Sequence, residues 1–166
     1  MKSSPKSFSS HFPKSKKEEA EYGKGRKDII VCPKCESCYF YKSWHHGLSD
    51  YPEISEKKNL KFALCPACRM IADRKYEGEV IIENIPKTLK KDIINTIKNV
   101  GKIAFERDTQ DRIISISNVN SPKIRVLTTE NQLSVRIGKK IKSAFNAKMK
   151  IQYSEKESTT RVKISF

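Results

Sequence analysis

Beyond position 77, apolar residues recur with two different periods. Every third or fourth residue is apolar from 86 to 100 and again from 129 to 145, which predicts two amphipathic helices. Gly101 is predicted to close the first helix, and Thr129 with Gln132 has the spacing of a capping box that opens the second. Alternating or β-rich runs predict strands at 79–84, 102–107, 112–118, 123–128, 149–154 and 160–166.

This order of elements, β-α-β-β-β-α-β-β, predicts an α+β domain over residues 77–166. We expect its two helices to pack on one face of a mostly antiparallel sheet. Upstream, residues 28–31 form a short apolar run that predicts a strand, and residues 69–76 predict a short helix or turn. The segment 28–76 is therefore predicted to be a separate small module that precedes the α+β domain.

Residues 1–27 show no apolar period. They mix Ser, Lys, Pro and Gly with scattered aromatic residues, so they cannot bury enough surface to offset the loss of chain entropy. We predict a disordered basic arm. Two roles for it stay open: an inert solubilising tail, or an arm that folds against nucleic acid.

All five cysteines lie between positions 32 and 68. Cys32 and Cys35 form one Cys-x2-Cys pair, and Cys65 and Cys68 form a second. A two-residue spacer lets one tight turn aim two thiolates at one point, and a tetrahedral ion needs four soft ligands. These four cysteines predict a structural Zn²⁺, with no open position for a catalytic water, in a zinc-ribbon or treble-clef-like module. Three further residues could compete as ligands: Cys38, His45 and His46.

Other uses of paired cysteines fit less well. A disulfide framework needs an oxidising compartment, and the N-terminus has no apolar signal segment, so we expect a cytoplasmic protein. A thioredoxin-like redox site uses a single pair at a strand-to-helix junction. A zinc deaminase needs His-x-Glu, whereas Gly47 and Leu48 follow His46. Without a Gly-rich phosphate loop or a nucleophile paired with a histidine, we expect neither an enzyme nor a small-molecule substrate.

Basic residues are in excess along the whole chain. The formal net charge is +15, from 34 Lys and Arg against 19 Asp and Glu, and the excess is +4 in 1–31, +3 in 32–76 and +8 in 77–166. This spread favours a polyanionic partner, with a merely soluble basic protein as the alternative. No apolar span or amphipathic basic helix with aromatic anchors indicates a membrane partner.

Residues 39–46 place aromatic side chains beside basic ones. Aromatic rings such as that of Trp44 could stack on unpaired bases while Lys or His side chains meet phosphates. Alternatively, Tyr39, Tyr41 and Trp44 cover a metal module that is too small to have a core of its own. We favour the packing role for most of these rings.

Four stretches of the chain together resemble a known family. They read CPKCESCYFYKSW, CPACRMIADRKYEGEV, TTENQLSVRIGKKIKSAF and RVKISF. In these stretches the chain resembles a small prokaryotic zinc-knuckle family, which is related to the N-terminal part of the archaeal and eukaryotic Nmd-type adaptor that binds the large ribosomal subunit. The resemblance implies that Cys32, Cys35, Cys65 and Cys68 hold zinc, that Cys38 is a non-ligand, and that the partner is the ribosome or its RNA.

The resulting hypothesis is a non-enzymatic RNA-binding protein that associates with the ribosome or ribosomal RNA, with ribosomal proteins as further partners. The alternative is a protein-interaction adaptor whose sheet edge or zinc face binds another protein. For RNA, phosphate contacts are predicted first on the second helix and then on the metal module, with Trp44 as the aromatic contact. The basic residues in these two sets are Arg136, Lys139, Lys140, Lys142, and then Lys34, Arg69, Arg74 and Lys75.

Overall fold

The structure is a computed structural model. It describes residues 28–47, 59–120, 123–154 and 158–166, together with the single positions Ala20 and Ser49. The predicted arm at 1–27 therefore lies outside the described residues except for Ala20. Within the described ranges, no helix combines the length and the apolar character needed to cross a membrane.

The first part of the chain forms a small four-stranded sheet and one helix. The order across the sheet is β3-β2-β1-β4, in which β1 pairs antiparallel with β2 and parallel with β4. Strands β2 and β3 form a tight hairpin because Tyr41 and Lys42 both adopt positive φ, 46° and 70°, as a two-residue hairpin loop requires. The elements are β1 (Asp28–Val31), β2 (Cys38–Phe40), β3 (Ser43–His45), β4 (Asn59–Phe62) and α1 (Pro66–Ala72).

The second part of the chain forms a five-stranded sheet with two longer helices. The order across this sheet is β6-β7-β5-β9-β8; only β5 and β9 pair in parallel, and the other neighbours are antiparallel. The two sheets and three helices confirm the mixed α+β class. The elements are β5 (Gly78–Glu83), α2 (Lys90–Arg107), β6 (Ile113–Asn120), β7 (Lys123–Thr128), α3 (Asn131–Phe145), β8 (Lys148–Ser154) and β9 (Thr159–Ser165).

The main core lies between this sheet and helices α2 and α3. Val80 of β5 is paired with Val126 on one side and Val162 on the other, so the three side chains point to the same face. Both helices pack on that face, and each fully buried isoleucine or leucine there contributes about 1.5 to 3 kcal/mol to the free energy of folding. The helix residues in this core include Ile93, Ile97, Ala104, Leu133, Ile137 and Ile141.

The predicted strand at 102–107 is wrong, because α2 continues without a break to Arg107. Gly101 does not end the helix. A Cβ built at Gly101 would lie 2.4 Å from Cδ1 of Ile113, so glycine is there to let the first residue of β6 pack against the helix. The buried positions Ile93, Ile97, Gly101 and Ala104 keep the helical spacing through the glycine.

The predicted capping box at Thr129 is also wrong. Helix α3 begins after Glu130, whose side chain makes no capping hydrogen bond. The Thr129 hydroxyl instead donates to the carbonyl of Gln110 at 2.6 Å and accepts from the backbone N–H of Arg112 at 2.8 Å. Thr129 therefore fastens the turn that follows α2 to the start of α3.

Candidate metal centre

The first cysteine pair lies on a tight turn directly after β1. The backbone N–H of Cys32 donates to the carbonyl of Ser37 at 2.8 Å, and the N–H of Glu36 donates to the carbonyl of Cys32 at 2.9 Å. Glu36 has a φ of 62°, which closes the turn. These bonds bring the side chains of Cys32 and Cys35 to the same side of the turn.

The second pair lies at the start of α1. Cys65 is the N-cap residue, and its Sγ accepts from the backbone N–H of Cys68 at 3.4 Å. Pro66 occupies the first turn, where its missing N–H costs nothing and its fixed φ suits a helix. This explains why the helix begins at Pro66, earlier than the predicted 69–76.

The four sulfur atoms converge. The Sγ atoms of Cys32, Cys35, Cys65 and Cys68 all lie within 4.8 Å of one another, and those of Cys35 and Cys65 are 3.7 Å apart. A tetrahedral ion with metal–sulfur bonds of about 2.3 Å has sulfur–sulfur edges of about 3.8 Å, so the set fits such an ion. All five cysteines of the chain are free thiols. The four converging cysteines could therefore hold a metal ion.

The protonation of these thiols depends on their neighbours. Burial acts to raise the pKa of Cys35, but hydrogen bonds with Ser37 and with the Arg112 guanidinium outweigh it and lower that pKa to about 6. Burial raises the pKa of Cys68 to about 11. Burial also raises the pKa of Cys65, and the charge of the Cys35 thiolate adds to the effect. A bound cation would compensate four thiolates held this closely.

Arg112 reaches the cysteines from the second part of the chain. Its Nη1 donates to Sγ of Cys68 at 3.5 Å, and its Nε donates to the carbonyl of Thr109 at 2.7 Å. The guanidinium carbon lies 5.1 Å from the centroid of the Phe105 ring. Although burial acts to lower the pKa of Arg112, the cysteine thiolates outweigh it and raise that pKa. Arg112 is therefore held as a cation beside the sulfur cluster.

Two further contacts join the metal module to the end of α2. Gln110 accepts from the backbone N–H of Ala67 through its Oε1 at 3.1 Å. His46 lies edge-on to the Phe105 ring, with centroids 5.2 Å apart, and its Nε2 is 3.2 Å from the carbonyl oxygen of Glu106. The residues from Phe105 to Arg112 thus form a docking segment for the metal module, which the sequence pattern did not indicate.

The three competing ligands lie outside the converging set found among the described residues. The Cys38 thiol donates to the carbonyl of His46 at 2.9 Å. The His45 ring stacks on Phe40 with centroids 4.0 Å apart, and its Nε2 is 2.9 Å from Oγ of Ser43. With His46 directed at α2, all three side chains have structural neighbours.

The basic residues predicted to contact RNA occupy two separate surfaces. Arg136, Lys139, Lys140 and Lys142 lie on α3, and the other four lie on the metal module or just after it. All eight are exposed. Three of them have recorded partners, because Arg136 pairs with Asp111 at 2.5 Å, Lys75 pairs with Asp73 at 3.5 Å and Arg69 donates to the carbonyl of Leu64 at 3.5 Å. The others are Lys34, Arg74, Lys139, Lys140 and Lys142.

Trp44 is placed differently from the basic residues. Only 7% of its surface is exposed, and it packs with Tyr39 and three of the converging cysteines. The ring centroids of Tyr39 and Trp44 are 5.6 Å apart. This position suits the packing alternative and leaves little of the ring for stacking on a base, so Trp44 is not carried forward as an RNA contact.

The chain was also compared with known proteins. No protein-family model matches it, and comparisons with curated proteins and with solved structures found no significant match.

Proposed function

We propose that this chain is a non-enzymatic, zinc-containing RNA-binding protein of the cytoplasm that associates with the ribosome or with ribosomal RNA. The observation that carries the proposal is the set of exposed basic residues, Lys34, Arg74, Lys139, Lys140 and Lys142, for which the described residues offer no ion-pair partner. A net charge of +15 adds to their attraction for phosphate. Resemblance to the zinc-knuckle family of the Nmd-type adaptor is the reason for preferring ribosomal RNA.

Zinc is the proposed occupant of the four-cysteine centre. Four thiolates are soft ligands, and Zn²⁺ accepts a tetrahedral set without a geometric preference of its own. The order of a knuckle turn, the β2–β3 hairpin and a helix that begins at the second pair supports a treble-clef-like module. Four protein ligands leave no position for a catalytic water, so the metal would be structural and would give the module its shape.

The proposal predicts salt-sensitive binding. Full-length, zinc-loaded protein should bind total ribosomal RNA in a filter assay, and its affinity should fall at least about tenfold between about 50 and 200 mM salt, because Lys and Arg release counterions from phosphates. Failure to bind at the lower salt concentration would contradict the proposal. Association that is indifferent to salt would contradict it too.

A protein-interaction adaptor is the second candidate, favoured by exposed apolar side chains on the metal module. Leu60 and Phe62 of β4 are 45% and 69% exposed, and Tyr41 in the β2–β3 turn is 61% exposed. Exposed apolar side chains close together mark interaction sites more often than charged surfaces do. Salt-indifferent association with ribosomal proteins, without RNA, would favour this adaptor over the RNA-binding protein.

A further inference from the structure

The five-stranded sheet has a second face that points away from α2 and α3. Side chains alternate along each strand, so the register of the core residues also identifies the residues on this other face. We call it the open face. Its members are Glu79, Ile81 and Glu83 of β5, Ser115 and Ser117 of β6, Lys123, Arg125 and Leu127 of β7, Lys148, Lys150, Gln152 and Ser154 of β8, and Arg161, Lys163 and Ser165 of β9.

The open face is strongly basic. It carries six basic side chains and two acidic ones, and both acidic groups form ion pairs within the face. Oε1 of Glu79 is 2.6 Å from Nε of Arg125, its Oε2 is 3.2 Å from Nε of Arg161, and Glu83 is 2.8 Å from Lys123. The side chain of Glu79 is only 7% exposed, so it lies beneath the two arginines and fixes their guanidinium groups along the sheet. Three lysines have no recorded ion pair: Lys148, Lys150 and Lys163.

A row of positive charge crosses the sheet at its middle. Ile81 is flanked by Arg125 on β7 and Lys163 on β9, and Lys163 is directly opposite Lys150 on β8. With strands about 4.8 Å apart, this row spans about 14 Å. Like charges directly opposite each other destabilise a sheet, so Lys150 and Lys163 carry a cost that an anionic ligand above them would remove.

The strand positions of the open face contain no aromatic residue. Surfaces that bind single-stranded RNA use aromatic side chains on which bases stack. Double-stranded RNA is recognised mainly through its phosphates, its 2′-hydroxyl groups and its shape, for which basic and hydroxyl or amide side chains are sufficient. Ser115, Ser117 and Gln152 supply such polar groups beside the basic row.

We infer that the open face is the surface on which this protein binds the backbone of double-stranded RNA. The inference rests on the proposed RNA-binding function and adds to it the surface and the form of RNA. Since α3 packs on the opposite face of the sheet, a short duplex on the open face lies away from the lysines of α3. The two surfaces can therefore be tested separately.

The test compares three triple variants of the zinc-loaded full chain by fluorescence anisotropy with an RNA duplex of about 20 base pairs. Lys148→Gln/Lys150→Gln/Lys163→Gln removes three charges from the open face. Lys87→Gln/Lys91→Gln/Lys98→Gln removes three exposed charges from α2 and the turn before it and is the matched control. Lys139→Gln/Lys140→Gln/Lys142→Gln does the same on α3. Thermal unfolding first verifies that each variant is folded.

The open-face variant should bind the duplex at least about tenfold more weakly at 0.1 M salt, with a salt dependence lower by about three phosphate contacts, while the α2 variant stays within about twofold of the unsubstituted chain. Single-stranded RNA of the same length should bind the unsubstituted chain more weakly than the duplex. Equal losses in the open-face and α2 variants would overturn the inference, because only net charge would then matter. So would a loss confined to the α3 variant, although RNA binding itself would stand. If the unsubstituted chain binds neither RNA, the proposed function fails as well.

Discussion

Replacing Cys65 with serine should abolish stable metal binding and unfold the metal module. Cys65 is fully buried, caps α1 and is one of the four converging sulfur atoms. A serine hydroxyl is a poor substitute for a soft thiolate, and losing one of four ligands should weaken zinc affinity by at least about a hundredfold. Native mass spectrometry should find one zinc ion in the unsubstituted chain and none in Cys65→Ser.

The only tryptophan of the chain reports on the module directly. Trp44 is buried among the cysteines, so its fluorescence emission should shift to the red in Cys65→Ser and when a chelator removes zinc from the unsubstituted chain. Cys38→Ser is the matched control, since Cys38 is equally buried but donates to a backbone carbonyl, as serine can. If Cys38→Ser loses zinc and Cys65→Ser keeps it, the assignment of ligands is wrong.

Replacing Arg112 with alanine should weaken the metal centre from outside the module. The substitution removes the hydrogen bonds to Cys68 and Thr109 and the contact with Phe105. Charged hydrogen bonds of this kind contribute about 2 kcal/mol to the free energy of unfolding, and groups that hydrogen-bond to metal ligands alter metal affinity by about 10- to 100-fold. Urea unfolding and zinc competition with a chelator measure the two effects.

Arg107→Ala provides the control for charge and position. Arg107 lies in the last turn of α2, is exposed, and is five residues from Arg112. Its replacement should change the free energy of unfolding by less than about 0.5 kcal/mol. Arg112→Lys should fall between the two, because lysine keeps the charge but lacks the planar set of donors. Were Arg112→Ala to retain both its zinc affinity and its stability, the guanidinium would have no role in the centre.

The fold was predictable where one periodic pattern extended over many residues. The stripes through Ile93 and Ile97 and through Leu133, Ile137 and Ile141 gave both long helices, since burial on one side follows the helical period directly. The pattern failed at Gly101, because a glycine that admits a neighbouring side chain looks the same in sequence as one that ends a helix. The short strands β2, β3 and β4 depend on pairing partners rather than on their own periodicity.

The converging cysteines were predictable because their spacing alone limits the geometry. The four residues that the two Cys-x2-Cys pairs indicated are the ones whose sulfur atoms meet. Arg112 was not predictable, since it is 44 positions from Cys68 and nothing local marks an arginine that will lie beside a thiolate. The open face also needed the strand register, which brings Lys150 and Lys163 together from different strands.

In-cell crosslinking, followed by sequencing of the RNA attached to the protein, tests the central claim most directly. The account predicts reads concentrated at one ribosomal RNA locus, within or beside a base-paired segment. The open-face variant should lose these reads, and the α2 variant should keep them. Scattered reads at background level would contradict a ribosomal RNA-binding function, and the protein-interaction adaptor would replace it.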